Sequence, residues 1–277
     1  MRVSEFVRRA AAITAAIAIY GTTGLAQAPA PAQTPAQAPA PTFEPSVGQA
    51  GKDVVWVPTP QSLVDKMLDL AEIKPGEILM DLGSGDGRTV ITAAKRGATA
   101  MGIEYNPDMV ELSKRNAAQA GMTGKATFMK ADLFETDLTK AQVITMFLLP
   151  SINMKLRPTI LNLKPGTRIV SNTFTMEDWQ PDTTATVEDD CTSWCTALLW
   201  IVPAKVAGSW RIPDGTLTLK QQFQQVSGTL GGQAITDAKL RGDTLTFKAK
   251  GKAYTARVLG QVMTGVGEKA WWGKKVG

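Results

Sequence analysis

ILMDLGSGDGR, residues 78–88, carries the strongest fold signal in the chain. Ile78 to Leu82 is a short apolar run with one acid in it, preceded by the turn Lys74-Pro75-Gly76 and followed by glycines. Such a run reads as a strand buried on both faces. Gly83-Ser84-Gly85-Asp86-Gly87 then turns tightly and lets backbone approach a ligand closely. Residues 88–96 follow in a helical pattern that Gly97 ends. Strand, glycine loop and helix in succession open a doubly wound sheet.

The same alternation extends outward. Thr59-Pro60 reads as a helix start, with Leu63, Met67, Leu70 and Ala71 at helical spacing after it. Residues 100–104 read as a second strand, and Asn106-Pro107 as the cap of a helix to about residue 120. A third strand covers 127–129 and ends at Ala131-Asp132; a fourth covers 143–149 and stops at Pro150. A helix over 152–162, the turn Lys164-Pro165-Gly166 and a strand over 168–172 make the next unit, and 184–187 with 197–202 read as a closing antiparallel pair. The prediction is an α/β fold with a Rossmann-like, doubly wound, mostly parallel sheet. Ligands bind such sheets at the carboxyl ends of the strands, near the point where strand order reverses.

Two nucleotide fingerprints fail at the glycine loop. GxGxxG counted from Gly83 would need glycine where Arg88 stands, and a P-loop would need a Lys that is absent. The acids are better placed. Glu104 ends the second strand, 23 positions after Asp81, where a carboxylate can accept from both ribose hydroxyls. Asp81 can accept from an ammonium or hydrogen-bond the loop, and Asp132 is placed to meet an adenine amino group. Asp86 either meets the ligand or places negative charge at a helix start.

The chain of 277 residues has no His and two Cys. This excludes Ser-His-Asp and Cys-His catalysis, HExxH proteases and His-bound zinc, and two thiols cannot make a four-thiolate site. No metal is expected, and proton handling falls to carboxylates, Lys, Tyr or water.

DLGSGDGR (81–88), GIEYNP (102–107), KADLF (130–134) and Leu148-Leu149-Pro150 together resemble the class I S-adenosylmethionine-dependent methyltransferases. DLGSGDGR with GIEYNP is similar to the mitochondrial lysine methyltransferases of the ATP synthase c-subunit and the adenine nucleotide translocase, and to their bacterial relatives. The resemblance spans roughly residues 54–175. It implies S-adenosyl-L-methionine as cofactor, with Gly83, Ser84, Gly85, Asp86 and Gly87 at the methionine moiety. Glu104, next to Tyr105, would hold the ribose; Asp132 and Leu133 would flank the adenine. Thr59, within Val57-Pro58-Thr59-Pro60, would close over the cofactor. Pro150 and Ser151 are the acceptor-pocket candidates, whereas Met146, Leu148 and Leu149 read as core. No catalytic residue is assigned. The implied activity is methyl transfer to an amine, expected to be a protein lysine. A sulfonium-borne methyl is already activated, so the enzyme's task is alignment, and a nearby sulfonium lowers an amine's pKa by like-charge repulsion. A chain without His can do this. Two alternatives stand: a small-molecule methyltransferase, and an exported methyltransferase-like scaffold or binding protein whose β-domain carries the function.

The ends differ from this centre. Arg2, Arg8 and Arg9 precede an apolar run over 10–20, and Gly24 and Ala26 suit cleavage. Residues 1–26 are therefore expected to be a signal peptide and the mature protein periplasmic; the alternative is an uncleaved membrane anchor. An exported enzyme must either bind this cytoplasmic cofactor before export or receive it by another route. Residues 27–53, rich in Ala, Pro and Gln, are expected to be a disordered linker. Residues 54–205 make the cofactor-binding domain. Net charge is −4 over 27–205 and +7 over 206–277, which, with a change to period-two patterning and frequent turns, predicts a basic all-β domain over 206–277. That surplus could meet a membrane surface or an acidic protein; nucleic acid is not expected, because no binding motif accompanies the charge. Arg241-Gly242-Asp243 reads as a tight turn, and Trp271-Trp272 as a core plug or an exposed contact. Cys191 and Cys195 suit a local disulfide in an exported protein.

Overall fold

The computed structural model describes residues 43–267 and 270–276; the expected signal peptide, or anchor, and the linker up to residue 42 lie outside the described residues. Seven strands form the first sheet: β1 (Ile78–Leu82), β2 (Thr99–Glu104), β3 (Ala126–Lys130), β4 (Val143–Met146), β5 (Arg168–Asn172), β6 (Thr183–Thr186) and β7 (Thr196–Ile201). Their order is β3-β2-β1-β4-β5-β7-β6. Pairs through β5 are parallel, and β7 runs antiparallel to both β5 and β6. The chain moves outward from β1 to β3, then returns to β4 on the other side of β1. That reversal opens a crevice at the carboxyl ends of β1 and β4.

Four helices cover the sheet: α1 (Gln61–Leu70), α2 (Arg88–Lys95), α3 (Pro107–Gln119) and α4 (Pro150–Ile160). On one face Leu63, Leu68, Val90 and Val110 pack on Leu79, Val143 and Leu199. On the other, Ile152, Leu156 and Ile160 of α4 join Leu82, Ile144 and Trp200. Asn106 caps α3 by accepting from the Asp108 N–H at 2.9 Å. Thr59 does not cap α1: the helix begins after Pro60 without a side-chain cap, and the Thr59 hydroxyl instead accepts from Asn172 Nδ2 at 3.4 Å.

Order begins before residue 54. Gly48 N–H donates to the Trp56 carbonyl, Trp56 N–H to Gln49, and Gly51 N–H to Val54. The expectation of a disordered linker to residue 53 is corrected from residue 43 on. The Ala/Pro/Gln bias ends there, and Val54 and Trp56 supply apolar surface that can pack.

Nine antiparallel strands form the second sheet: β8 (Gly208–Ile212), β9 (Gly215–Gln222), β10 (Gln225–Leu230), β11 (Gln233–Ala234), β12 (Thr236–Arg241), β13 (Thr244–Ala249), β14 (Lys252–Leu259), β15 (Val262–Gly265) and β16 (Trp272–Val276). The order is β11-β10-β9-β8-β16-β15-β14-β13-β12. The two edge strands, β11 and β12, are separated only by Ile235, so the sheet must curl nearly into a barrel. Alternate residues fill its interior, among them Trp210, Leu217, Leu245, Phe247, Tyr254 and Val258. Trp271 packs on this core, and Trp272 is 69% exposed.

The barrel is keyed into the first sheet. At the β9–β10 turn Phe223 stacks on the buried Trp179, with centroids 5.7 Å apart, and Gln224 accepts from Trp179 Nε1 at 2.9 Å. The Gly242 carbonyl accepts from the Ala204 N–H, and a Cβ at Gly242 would lie 3.0 Å from the backbone of Gly166. The boundary near residue 205 thus separates two sheets within one compact unit.

Candidate active site

A cavity of about 430 Å³ opens at the carboxyl ends of β1 to β5, within the size range of small-molecule sites. Glu104 is its central acid. Oε2 accepts from the Gly85 N–H at 3.0 Å and Oε1 from the Asn106 N–H at 2.9 Å. The carboxylate therefore ties the glycine loop to the loop after β2, and each oxygen keeps a lone pair for a ligand. Gly85 sits at φ 54°, and a Cβ there would lie 2.6 Å from Trp56 Nε1. Glycine is required both by conformation and by the segment lying over it.

Asp81 lines the cavity and is 7% exposed. Burial pushes its pKa up to about 7; the Thr145 hydroxyl, donating at 2.6 Å, opposes the shift, and the nearby carboxylates Glu104 and Asp86 add to it. Asp86 pairs with the Arg88 guanidinium at 2.6 Å, and Arg88 Nη1 donates to the Thr59 carbonyl at 2.9 Å. Asp86 is thus the foot of a brace that holds Thr59 at the cavity wall. Asp132 receives Lys52 Nζ at 2.6 Å and the Phe134 N–H at 2.9 Å, and the Lys52 hydrogen bond leads in holding its carboxyl below the usual range. Lys52 also lies 4.6 Å from the Tyr105 ring centroid. Tyr105 and Leu133 line the cavity beside these acids.

Three expected site residues stand elsewhere. Gly87, at φ 83°, does not line the cavity; a Cβ there would lie 2.7 Å from the Phe128 ring, so its glycine serves helix-to-strand packing. Pro150 and Ser151 are exposed and do not line the cavity. Helix α4 starts at Pro150, and its phase turns Leu149 and Ile152 to the cavity instead. Ser84 lines it, but its hydroxyl is buried without a partner among the described residues and faces Gly102, where a Cβ would meet it at 2.5 Å. Met146 and Leu148, read as core, are buried and also line the cavity; Leu149 is exposed at its mouth.

Sequence reasoning passed over Lys52, Trp56, Phe147, Phe174 and Trp194, all of which line the cavity. Phe147 and Phe174 stack at 5.8 Å, and Trp194 is tilted against Phe147 at 6.0 Å. Phe147 stands just before the Leu148-Leu149-Pro150 motif, a usable signal; Trp194 stands between Cys191 and Cys195, a signal read only as a disulfide. That disulfide is formed, with the Cα atoms 5.7 Å apart. Among the described residues no group of three or more potential metal ligands comes together, and no helix is long and apolar enough to cross a membrane.

Residues 81–183 match the family profile described as the ANTKMT methyltransferase domain. The protein-lysine N-methyltransferase of Saccharolobus islandicus (strain REY15A) is 42% identical over 139 residues, which are 49% of this chain and 86% of that one. The adenine nucleotide translocase lysine N-methyltransferase of Mus musculus is 37% identical over 120 residues, 43% of this chain; the chain spans about half (52%) of that relative's length. A solved structure of an RNA methyltransferase from Salinibacter ruber, in complex with S-adenosyl-L-homocysteine, is 45% identical, with a TM-score of 0.51, covering 54% of this chain and 96% of that one. With its glycine loop, Glu104 and Asp132 converging on one cavity inside the matched profile, and with a relative 42% identical that it covers to 86%, the chain belongs to the family of S-adenosylmethionine-dependent methyltransferases that carries the ANTKMT methyltransferase domain.

Proposed function

We propose that this enzyme methylates the side-chain amine of a protein lysine. The observation that carries the reading is the division of the cavity. Over β1, β2 and β3 it presents the glycine loop and the acids Asp81, Glu104 and Asp132; over β4, β5 and β7 it presents Phe147, Phe174 and Trp194. The first half suits an amino-acid and nucleoside cofactor, and the second suits an apolar stem ending in a cation.

The residues present fit S-adenosyl-L-methionine. Gly83 and Gly85 leave backbone room at the loop. Glu104 keeps acceptor capacity for the ribose, and Asp132 with Leu133 borders the adenine position. Asp81 is placed to accept from the ammonium of the methionine moiety. Bound there, the cofactor supplies an activated methyl on sulfonium sulfur. Trp56, which lies over Gly85, and Thr59 line this half of the cavity. The acceptor nitrogen must be neutral to attack, and the cation beside it together with burial lowers its pKa; a carboxylate or water takes the proton.

The Salinibacter relative's name raises nucleic acid as acceptor. Residues 27–205 carry net charge −4, and Glu188, Asp189 and Asp190 are exposed on the loop that bears Trp194. A polyanion is disfavoured there. We further infer export to the periplasm, supported by the composition of residues 1–26 and by a disulfide that suits an oxidising compartment. The basic barrel, rather than the cavity, is then the surface for an anionic membrane or an acidic protein. Cofactor labelled in its methyl group, incubated with enzyme and cell-envelope extract, should place label in methylated lysine on acid hydrolysis of the protein fraction. Label confined to RNA or to small molecules would overturn the acceptor assignment. Sequencing the mature N-terminus tests export: a retained Met1 rejects cleavage.

A further inference from the structure

Residues 187–195 form the loop between β6 and β7, and Cys191 and Cys195 close part of it into a ring. The ring holds Trp194 at φ 56°, a left-handed conformation that a bulky residue keeps only when its surroundings impose it. Two further ties fix the loop: Val187 N–H donates to the Cys195 carbonyl at 2.9 Å, and the Ser62 hydroxyl on α1 donates to the Asp189 carbonyl at 3.1 Å. Trp179, Trp200 and Trp210 are fully buried, whereas Trp194 is 44% exposed and lines the cavity. An indole so held, half in solvent beside Phe147 and Phe174, does little for the core. It makes a third wall of a slot.

We propose that Trp194, positioned by the Cys191–Cys195 disulfide, is the specificity-determining wall of the acceptor slot and takes the stem and cationic head of the acceptor lysine. This deepens the lysine-methylation reading and rests on it. The four methylenes of a lysine stem match flat aromatic faces, which also attract its ammonium on entry, before the nitrogen loses the proton that attack requires. The half of the cavity over β1, β2 and β3 contains no part of this wall, so cofactor binding does not depend on it. The cysteines touch no reacting atom; they are positioning residues that act through Trp194.

The test compares full-length wild type, Trp194→Ala, Trp194→Phe and the double variant Cys191→Ser/Cys195→Ser. Calorimetry with S-adenosylhomocysteine reports the cofactor half; methyl label transferred to lysine in cell-envelope extract, titrated by extract concentration, reports the acceptor half. Trp194→Ala should raise the half-saturating acceptor concentration roughly tenfold, with the larger change in KM rather than kcat and the S-adenosylhomocysteine Kd within about twofold of wild type. The double variant should show the same split to a smaller degree, and Trp194→Phe should recover most of the loss. Unchanged half-saturation in Trp194→Ala overturns the proposal, as does an equal loss of cofactor affinity, which would put Trp194 over the cofactor. A double variant that behaves as wild type overturns the part assigned to the disulfide. Wild type that transfers label to no lysine overturns the lysine reading itself, a result separate from any difference between variants.

Discussion

The two halves of the cavity are built by different means. Over β1, β2 and β3 the ligand surface is largely backbone and carboxylate, drawn from contiguous motifs at strand ends: the Gly83–Gly85 turn, Glu104 bonded to two backbone N–H groups, Asp132 bonded to a third. Over β4, β5 and β7 it is aromatic, with Phe147, Phe174 and Trp194 converging from three separate stretches. They meet because β7 inserts antiparallel between β5 and β6, which carries the 187–195 loop to the strand ends. The glycine-and-carboxylate half, which we assign to the cofactor, is encoded locally; the aromatic half, which we assign to the acceptor, is assembled by topology.

Five substitutions test this contrast. In the first half, Asp81 should show the largest effect. Its folded pKa, about 7, lies above the ordinary 3.8. The folded state therefore binds the extra proton, and stability is lost as pH rises from about 4 towards 7, by up to about 4 kcal/mol. Asp81→Asn cannot ionise, so its Tm should gain on wild type over that range; parallel Tm–pH curves would reject the assignment. Glu104→Ala strips a charged acceptor from two N–H groups and from the ribose position. Affinity for S-adenosylhomocysteine should fall about 100-fold, roughly 3 kcal/mol, whereas equal titration curves would remove Glu104 from the cofactor half. Gly87→Ala strains φ 83° and drives a methyl into Phe128. About 2 kcal/mol of stability, roughly 6 °C in Tm, should go, with cofactor affinity retained in the folded fraction.

Phe174→Ala should act on the other half alone. Acceptor KM should rise about fivefold without change in the calorimetric Kd of the cofactor product; a changed Kd would mean that the halves are not separable. Lys52→Ala should be smallest. Its pair with Asp132 is partly exposed, so cofactor affinity should move by less than about threefold, and that shift should vanish in high salt.

Much of the fold was legible in sequence because its signals are local. The apolar run 78–82, the glycines after it and the Asn106-Pro107 cap each state a conformation within a few residues. Asp81, Glu104 and Asp132 were legible for the same reason: a residue at the carboxyl end of a parallel strand is already at the crevice. Gly87 misled because its reason is Phe128, on β3, which no local pattern reveals. Pro150 and Ser151 misled because the phase of α4 depends on how Ile152 and Leu156 pack beneath it. Thr59 reaches the wall by a different route from the expected cap: Arg88 holds its carbonyl and Asn172 its hydroxyl.

Sequence was enough for the α/β architecture, for the place of Asp81, Glu104 and Asp132 at the carboxyl ends of their strands, for a chemistry without histidine and for the change to a basic all-β region near residue 205. Each of these rests on composition or on residues close in the chain, where propensity and turn chemistry act directly. The folded arrangement was needed to show that residues 49–56 line the cavity beside the expected segment at 57–59, that the barrel nearly closes and is keyed to Trp179 through Phe223, and that Phe147, Phe174 and Trp194 form one slot. Those arrangements depend on side chains far apart in sequence filling shared volume, and close packing is a property of the folded whole.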